Sequence, residues 1–377
     1  MEDPTALLAD LVRIDSVNPG LEPGRPGEAA IARYVRDWAE ARGLQTRWIE
    51  PARGRPGVIV RAPGRGGGRT LMWNAHLDTV GVAGMEAPFE PAVRDGRMYG
   101  RGTMDMKASL AAALSALQAV APLGLAGDVV LTAVPDEEEG SVGTMAVARE
   151  VSADAAMVLE PTDLDLHVAH RGFTIAEVTL YGKASHTSRP HEGVNAVTHL
   201  GRLLAAVEAH DAALRRAEPH PLLGHGALQA VAAEGGRELF TTPDRARAVL
   251  ERRTLPRERP AAVREEVLAL LGELRHADGA VQAEATFPLE RAAFETPAET
   301  DIVEMLAAAC ERVTGRTPAR RGAPYWTDAA LLGEAGVPAV LFGPVGGGIH
   351  QPGEWVDLAS VDTLRRVLEE SARAYCG

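Results

Sequence analysis

Residues 70–80 read TLMWNAHLDTV, and this stretch decides the fold. Its apolar run has no helical period, which predicts a strand that is buried on both faces of a sheet. His76 stands where this strand would end, and open α/β sheets place their ligand sites at the carboxyl ends of strands. Asp78 would accept the other ring N–H of His76 and fix its tautomer. A structural or surface histidine is the alternative interpretation.

Four further segments carry acidic residues or a histidine where a strand or turn is predicted to give way to a loop. They are GRGTMDMK (100–107) with Asp105, PDEEEG (135–140) with Glu137 and Glu138, LEP (159–161) with Glu160, and GGGIH (346–350) with His350. Adjacent carboxylates repel one another unless cations compensate them. The glycines around Gly347 would let backbone approach a ligand closely. A helix N-cap at Asp105 and a solvated acidic turn at 136–139 are alternatives for single segments, but the ordered set predicts a two-metal hydrolase site.

The composition is that of an ordinary folded protein. Apolar residues make up 46% of the 377 residues and charged residues 24%, and a chain of this length favours two domains. The net charge of -13 and dispersed basic residues argue against nucleic acid as a partner. Cys310 and Cys376 are expected to be reduced. We expect a cytoplasmic protein with no membrane partner, because neither a secretory signal nor about 20 consecutive apolar residues are present.

Strand and helix patterns alternate along most of the chain, which indicates an α/β layer structure. Helices are expected at 28–42, 106–120, 300–313 and 361–374, and buried strands at 58–60, 70–75, 128–134 and 337–342. Between residues 173 and 290 the order changes to β-α-β-β-α-β, the ferredoxin-like arrangement. We therefore predict a catalytic domain formed by 1–172 and 291–377, split by an inserted domain at 173–290.

The chain resembles the M20 metallopeptidase family of acetylornithine deacetylase, succinyl-diaminopimelate desuccinylase and carboxypeptidase G2. The resemblance covers essentially the whole length. It rests on LVRIDSVNP (11–19), NAHLDTV (74–80), YGRGTMDMK (99–107), PDEEEGSVG (135–143), LEPT (159–162), GKASHTSRPHEGVNA (182–196), RRTLP (252–256) and His350 with residues 354–356. It implies a zinc-peptidase-like three-layer catalytic domain that holds two zinc ions, with the inserted domain acting as lid and dimerisation surface.

The resemblance also implies a role for each site residue. Asp105 would bridge both metals, His76 and Glu160 would bind one ion, and Glu138 and His350 the other. Glu137 would be the general base for a hydroxide that bridges the metals. Cobalt or manganese would also suit these nitrogen and oxygen ligands.

In the inserted domain, His186 matches a lid histidine that donates to the oxyanion in the site of a neighbouring subunit. The implied active form is a homodimer that is joined through the lid. Arg253 matches an arginine that binds a substrate carboxylate by a bidentate pair. Asn195 is either a substrate contact or the cap of the helix that it opens.

One position departs from the family pattern. Many relatives carry an asparagine shortly before the lid proline, where this chain has Phe240 before Pro243. Acyl groups or side chains with apolar surface are therefore favoured over acetylornithine or diaminopimelate derivatives. The predicted function is cleavage of an N-acyl amino acid by a deacylase. A carboxypeptidase or dipeptidase that acts on short peptides is the alternative, and an inactive relative that serves as a binding module is a remote one.

Overall fold

The computed structural model describes residues 3–377, and the chain divides into two units. Unit 1 comprises Met1–Val168, Thr296–Arg321 and Thr327–Gly377, described from Asp3 onward, and unit 2 comprises Ala169–Glu295 and Gly322–Trp326. The sequence placed the inserted domain at 173–290. Unit 2 extends past these limits on both sides and includes a later segment, 322–326, that the sequence assigned to the catalytic domain.

Helices and strands alternate in the catalytic parts of the chain. In chain order the α-helices of the described residues are α1 (Pro4–Val12), α2 (Ala29–Glu40), α3 (Ala108–Val120), α4 (Val142–Glu150), α5 (Ala196–Leu214), α6 (Pro260–Ala277), α7 (Asp301–Thr314), α8 (Ala329–Glu334) and α9 (Leu358–Cys376). The strands are β1 (Gln45–Ala52), β2 (Arg55–Ala62), β3 (Leu71–His76), β4 (Ala92–Arg94), β5 (Arg97–Tyr99), β6 (Val129–Val134), β7 (Ala155–Val158), β8 (Leu166–His170), β9 (Gly172–Tyr181), β10 (Ala227–Gly235), β11 (Arg245–Thr254), β12 (Gln282–Arg291), β13 (Phe294–Glu295), β14 (Arg320–Ala323), β15 (Ala339–Leu341), β16 (Gly346–Gly347) and β17 (Trp355–Asp357).

The main sheet of unit 1 has a parallel centre. Its strands follow the order β1-β2-β6-β3-β7-β15-β8, and β6, β3, β7 and β15 run parallel to their neighbours in this central group. Every residue of β3, β6 and β7 is buried. Helices cover the sheet, with α1, α3, α7 and α9 packed together and α2, α4 and α8 packed on its strands or on one another. This is the expected three-layer arrangement.

A second, antiparallel sheet of unit 1 carries the segment that precedes His350. Its order is β16-β17-β5-β4, and Gly347 pairs with Trp355. The sequence missed these short strands because two to three residues are too few to establish an alternating pattern. It also missed β1, whose polar residues are exposed on an edge strand.

Unit 2 has the element order β9-α5-β10-β11-α6-β12, the β-α-β-β-α-β order expected from the sequence. Its sheet has the antiparallel order β10-β11-β9-β12, and α5 and α6 pack against it. The alternation predicted for β9 is visible as burial of every second side chain, and Val178 and Leu180 are fully buried in its core.

One helical stretch of the described residues, Thr103–Leu123, is apolar and long enough to cross a membrane. Within its most apolar window, 72% is buried inside the protein, since α3 is the central helix of the unit 1 core. The stretch also contains Asp105 and Lys107 near its start. Burial in the core accounts for its composition, and the cytoplasmic location expected from the sequence stays a prediction.

Candidate metal centre

The parallel strands of unit 1 bring the predicted ligands to one edge of the sheet. His76 is the last residue of β3, Glu138 follows β6, and Glu160 follows β7. Because parallel strands all end at the same edge, these side chains converge although they are far apart in sequence. Asp105 comes from the irregular turn between β5 and α3, where its extended backbone departs from helical geometry. The residue that precedes α3 is Lys107, and the carboxylate of Asp105 faces two histidines rather than the N–H groups of the helix, so the N-cap interpretation of Asp105 is wrong.

Asp105 lies between two histidines. Its Oδ1 is 2.9 Å from Nε2 of His76, and its Oδ2 is 3.4 Å from Nε2 of His350. Nε2 of His350 is also 3.2 Å from Oε2 of Glu138. Each carboxylate oxygen of Asp105 thus faces a different imidazole, which is the arrangement of a carboxylate that two cations could share.

The ring orientation of His76 is fixed by the backbone rather than by the Asp78 side chain. Nδ1 of His76 lies 2.9 Å from the main-chain oxygen of Asp78 but 3.7 Å from its Oδ1. The Asp78 carboxylate instead accepts hydrogen bonds from Asn18 Nδ2 and from the backbone N–H groups of Glu137 and Glu138. The prediction that the Asp78 carboxylate accepts the ring N–H of His76 is therefore wrong. Three other donors bind this carboxylate instead. With Nδ1 facing a carbonyl, Nε2 remains free for a ligand.

Two overlapping groups of side chains are close enough to hold a metal ion. In the first, ligand atoms of His76, Glu137 and Glu160 lie within 4.8 Å of one another, and in the second those of His76, Asp105 and Glu138 do. The structure thus brings together all five predicted ligands and Glu137, because His350 contacts both Asp105 and Glu138. It also places Glu137, predicted to be the unligated base, among potential ligand atoms.

Burial and mutual repulsion shift the pKa values of these groups. Burial raises the pKa of Glu137 well above its usual range, and the charge of Glu160 raises it further. Burial likewise raises the pKa values of Glu138 and Glu160, with the charge of Asp105 as the next cause. Burial alone would also raise the pKa of Asp105, but hydrogen bonds from His350 and His76 lower it below its usual range. Compensating positive charge is therefore needed at this edge.

The donor set fits divalent cations. Imidazole nitrogens and carboxylate oxygens are the ligands that zinc and related ions use in proteins. In addition, Oε1 of Glu138 is buried and has no hydrogen-bond partner within residues 3–377. A buried carboxylate oxygen without a donor carries a desolvation cost that a bound cation would remove. This orphaned oxygen is an independent reason to assign a metal to these residues.

Glu354 holds the loop that carries Asp105, a role that the sequence did not predict. This carboxylate is 1% exposed and accepts hydrogen bonds from the backbone N–H groups of Gly102, Met104 and Asp105 at 2.8–3.1 Å. Arg101 completes the set, with Nη1 at 2.6 Å from Oε2 of Glu354. A carboxylate that accepts several backbone donors fixes their geometry. The matching stretch around residue 354 was the only sequence signal for this residue.

Packing around Gly347 leaves little space for a side chain. A Cβ atom there would lie 3.0 Å from Nε1 of Trp355, the residue with which Gly347 pairs across the small sheet. At Gly346 it would lie 2.3 Å from Sδ of Met104. Close packing therefore excludes a side chain at Gly346 and leaves little room for one at Gly347, and a substrate contact at Gly347 stays a prediction.

The remaining predicted site residues belong to unit 2. His186 lies in an exposed loop, where its Nδ1 contacts Oγ of Ser188 at 2.7 Å. Asn195 caps α5, since its Oδ1 accepts the backbone N–H groups of Val197 and Thr198. The cap explains this asparagine, and its substrate role stays a prediction.

Arg253 keeps part of its side chain exposed, at 35%. Its guanidinium lies over the ring of Phe173 at 5.2 Å, and its Nε donates to Oε1 of Glu251 at 2.5 Å. Its neighbour Arg252 is only 1% exposed and is paired with Glu258 and Glu266. Both arginines are therefore paired with carboxylates, and Arg253 is the more exposed of the two.

Comparison with known proteins agrees with this geometry. Residues 72–374 match the model of peptidase family M20/M25/M40, which is most of the chain. The chain belongs to peptidase family M20. It is 30% identical to acetylornithine deacetylase of Myxococcus xanthus over 99% of this chain and 97% of that protein. It is 29% identical to succinyl-diaminopimelate desuccinylase of Cereibacter sphaeroides, over 99% of each chain.

The fold is that of solved M20 structures. The YXEP protein of Bacillus subtilis, a dinuclear metal-binding peptidase of the M20 family, superposes with a TM-score of 0.77 at 16% identity, over 99% of this chain and 97% of that chain. Together with the M20 membership and the named relatives, this makes the protein a metal-dependent amidohydrolase.

Metal uptake should release protons at neutral pH. Hydrogen bonds to Asp105 and Glu138 raise the pKa of His350 to about 10 in the metal-free protein, so this imidazole is protonated at pH 7. Because a histidine must be neutral to bind a metal, its proton has to leave, and affinity should rise between about pH 6 and 8. Calorimetric titration with zinc in buffers of different ionisation enthalpy measures the released protons.

The matched control for this titration is His350→Gln, which should release about one proton fewer per chain. His191→Gln, at an exposed histidine of unit 2, should leave the proton count unchanged. Binding heats that are independent of the buffer would contradict the proposed protonation of His350.

Proposed function

We propose that this protein is a dinuclear-zinc deacylase that hydrolyses the amide bond of an N-acyl amino acid. The observation that carries the proposal is Asp105, whose two oxygens face His76 and His350 separately. The two curated relatives are a deacetylase and a desuccinylase, and both align over nearly their whole length. Removal of an acyl group from an amine is therefore the reaction that the similarity favours.

The proposed ligand set assigns Asp105 to both ions, His76 and Glu160 to one, and Glu138 and His350 to the other. Zinc is favoured by this mixture of imidazole and carboxylate, and cobalt and manganese are compatible with it. The solved relative from Bacillus subtilis is named as a dinuclear metal-binding peptidase, which supports two ions rather than one. When bound, two such ions lower the pKa of a water molecule and polarise the scissile carbonyl.

Glu137 is proposed as the general base that accepts a proton from the attacking water and passes it to the departing amine. Burial and the charge of Glu160 raise the pKa of Glu137 in the metal-free protein. A positioned carboxyl group can accept a proton and donate it in a later step. Its backbone N–H donates to Oδ1 of Asp78 at 3.1 Å, which fixes the position of the residue. The products would be a carboxylate and an amine.

The variant Glu137→Gln distinguishes whether Glu137 is a general base or a metal ligand. If Glu137 carries the proton, the variant should keep both metals and lose at least about 10²–10⁴ in kcat, since a positioned acid–base group contributes that much. Elemental analysis and steady-state kinetics measure the two quantities. Glu139→Gln is the matched control, because Glu139 is exposed two residues further on. Metal loss in Glu137→Gln, with activity restored by excess zinc, would instead make Glu137 a ligand of the group with His76 and Glu160.

Substrate recognition is proposed to involve unit 2. Arg253 would bind the free carboxylate of the amino acid through its guanidinium fork, with Asn195 and Gly347 as further contacts. Phe240 exposes 71% of its surface, and its carbonyl accepts the N–H of Thr187, next to His186, at 3.0 Å. An apolar surface therefore stands beside the loop of His186, which favours acyl groups or side chains with apolar character.

A substrate screen tests the reaction class. The metal-loaded protein is assayed for hydrolysis of acetyl, succinyl and longer acyl amino acids and of dipeptides. We expect the highest kcat/KM for N-acyl amino acids, with longer apolar acyl groups ahead of succinyl, because the exposed Phe240 offers no charge to pair with a second carboxylate. Higher values for dipeptides would favour the peptidase alternative. Absence of turnover in every case, with both metals bound, would favour a binding module.

The homodimer is proposed to form through unit 2. β10 is the edge strand of its sheet, and the side chains from Gln229 to Gly235 along it are exposed, including Val231 at 53%. An edge strand presents unpaired backbone N–H and C=O groups that a second chain can pair with. In this dimer His186 of one subunit would donate to the oxyanion in the site of the other.

Hybrid dimers test whether His186 acts in the opposite subunit. His186→Ala should lose about 10²–10³ in kcat with unchanged metal content, as expected for removal of one oxyanion donor. Mixing inactive Glu137→Gln with inactive His186→Ala protein should regenerate activity, because a hybrid pairs one intact metal site with one intact histidine. His191→Ala serves as the control for loop substitution, since His191 is exposed in the same segment. If mass spectrometry shows that subunits have exchanged but activity is not recovered, His186 does not act in the site of the opposite subunit.

A further inference from the structure

A buried arginine lies behind the acidic turn that carries Glu137 and Glu138. The guanidinium of Arg55, on β2, is 13% exposed and forms a bidentate pair with the fully buried carboxylate of Glu28 at 2.5–2.9 Å. The same guanidinium reaches Oδ1 of Asp136 at 2.8 Å. One cation therefore joins a carboxylate just before α2 to the first residue of the acidic turn.

Asn18 extends this connection to Asp78. Its Nδ2 donates to Oδ1 of Asp136 at 3.1 Å and to Oδ2 of Asp78 at 2.8 Å. Its own Oδ1 accepts the backbone N–H of Gly20 at 2.9 Å, which fixes the direction of the carboxamide. Asn18 is fully buried, so water does not compete for these hydrogen bonds. Arg55 and Asn18 thus hold the Asp136 carboxylate from two sides.

The acidic turn is therefore restrained on both of its sides. Asp136 is held through its side chain, while the backbone N–H groups of Glu137 and Glu138 are held by the Asp78 carboxylate at 3.1 Å. Asp136 has a φ of 71°, in the left-handed region that aspartate adopts more readily than most non-glycine residues. Together these contacts set the directions in which the side chains of Glu137 and Glu138 leave the turn.

Charge explains why an arginine is needed. Glu28, Asp78 and Asp136 are three buried carboxylates, and Arg55 is the cation that contacts two of them. Burial opposes the charge of Arg55, but hydrogen bonds and charges from Glu28, together with Asp136, raise its pKa overall. A planar guanidinium can bind one carboxylate in a bidentate manner and still donate to another, whereas a lysine ammonium cannot reproduce that geometry.

We propose that Arg55, held by Glu28, is a positioning residue that sets the geometry of the turn bearing Glu137 and Glu138 and thereby the affinity of the metal site. It touches neither substrate nor metal and acts through Asp136. The proposal rests on the metal-binding role proposed for Glu138. It predicts that loss of Arg55 weakens metal binding and catalysis beyond any effect on folding.

The test uses four variants of the full-length protein. Arg55→Met removes the cation, Arg55→Lys keeps the charge without the fork, and Glu28→Gln/Arg55→Met also removes the carboxylate that Arg55→Met leaves unpaired. Arg61→Met is the control on the same strand, where Arg61 pairs with Asp128 at the surface with 44% of its side chain exposed. Zinc affinity is measured by chelator competition, kcat and KM by steady-state kinetics, and thermal stability by circular dichroism.

We expect Arg55→Met to lower zinc affinity and kcat by about 10–100-fold each with little change in KM, as is common for residues that orient metal ligands. Arg55→Lys should recover part of this loss. Removing both members of a buried ion pair often restores stability, so the double variant should melt near the wild-type temperature and still bind zinc weakly. Arg61→Met should resemble the wild type.

Recovery of zinc affinity and kcat together with stability in the double variant would overturn the proposal, because Arg55 would then serve folding alone. Unchanged zinc affinity in folded Arg55→Met would overturn it as well. If Arg55→Met does not fold, the double variant and Arg55→Lys decide the question by the same criteria. Zinc affinity is measured independently of turnover. If Arg55→Met binds zinc more weakly and a separate Glu137→Gln variant proves fully active, the positioning role of Arg55 stands and the proposed base is wrong.

Discussion

Mutual repulsion between buried carboxylates is the constraint on which the rest of unit 1 depends. Asp105, Glu137, Glu138 and Glu160 converge at the edge of a parallel sheet, where burial raises the pKa of three of them. Two histidines lower the pKa of the fourth, Asp105. Such a cluster is stable only with compensating positive charge and with backbone that cannot relax away from it. The surrounding loops meet the second requirement.

The loops of the site are held by carboxylates that are not among the proposed ligands. Glu354 accepts three backbone N–H groups around Asp105, and Asp78 accepts those of Glu137 and Glu138. In each case an acidic side chain from a distant part of the chain replaces the regular hydrogen bonding that a loop lacks. Loops secured in this way can keep irregular geometry, such as the left-handed Asp136, without support from a helix or strand. The side chains that are proposed as ligands are thereby oriented by the loops themselves.

Sequence reasoning predicted the central strands and the residues that converge at their ends for a physical reason. Fully buried strands such as β3 and β6 leave an apolar run that ends abruptly at a polar residue, and His76 and Asp136 mark those ends. The inserted unit was visible from the alternation of β9. The supporting residues were not visible, because Arg55, Glu28 and Asn18 derive their roles from contacts that span 27 to 118 residues of sequence. No local pattern distinguishes a buried Glu28 or Arg55 from an exposed one. The edge strand β1 was missed because its exposed residues show no hydrophobic alternation. The strands β4, β5, β16 and β17 were missed because they are too short to establish such a pattern.

The acceptor for Nδ1 of His76 is a main-chain oxygen, that of Asp78. Every amino acid supplies such an oxygen, so the tautomer of His76 is independent of which side chain occupies position 78. The Asp78 side chain instead accepts hydrogen bonds from Asn18 and from the turn that carries Glu137 and Glu138. The backbone of residue 78 thus accepts the hydrogen bond from His76, and its side chain holds the acidic turn. A substitution at position 78 would consequently alter the turn while keeping the main-chain acceptor of His76 Nδ1.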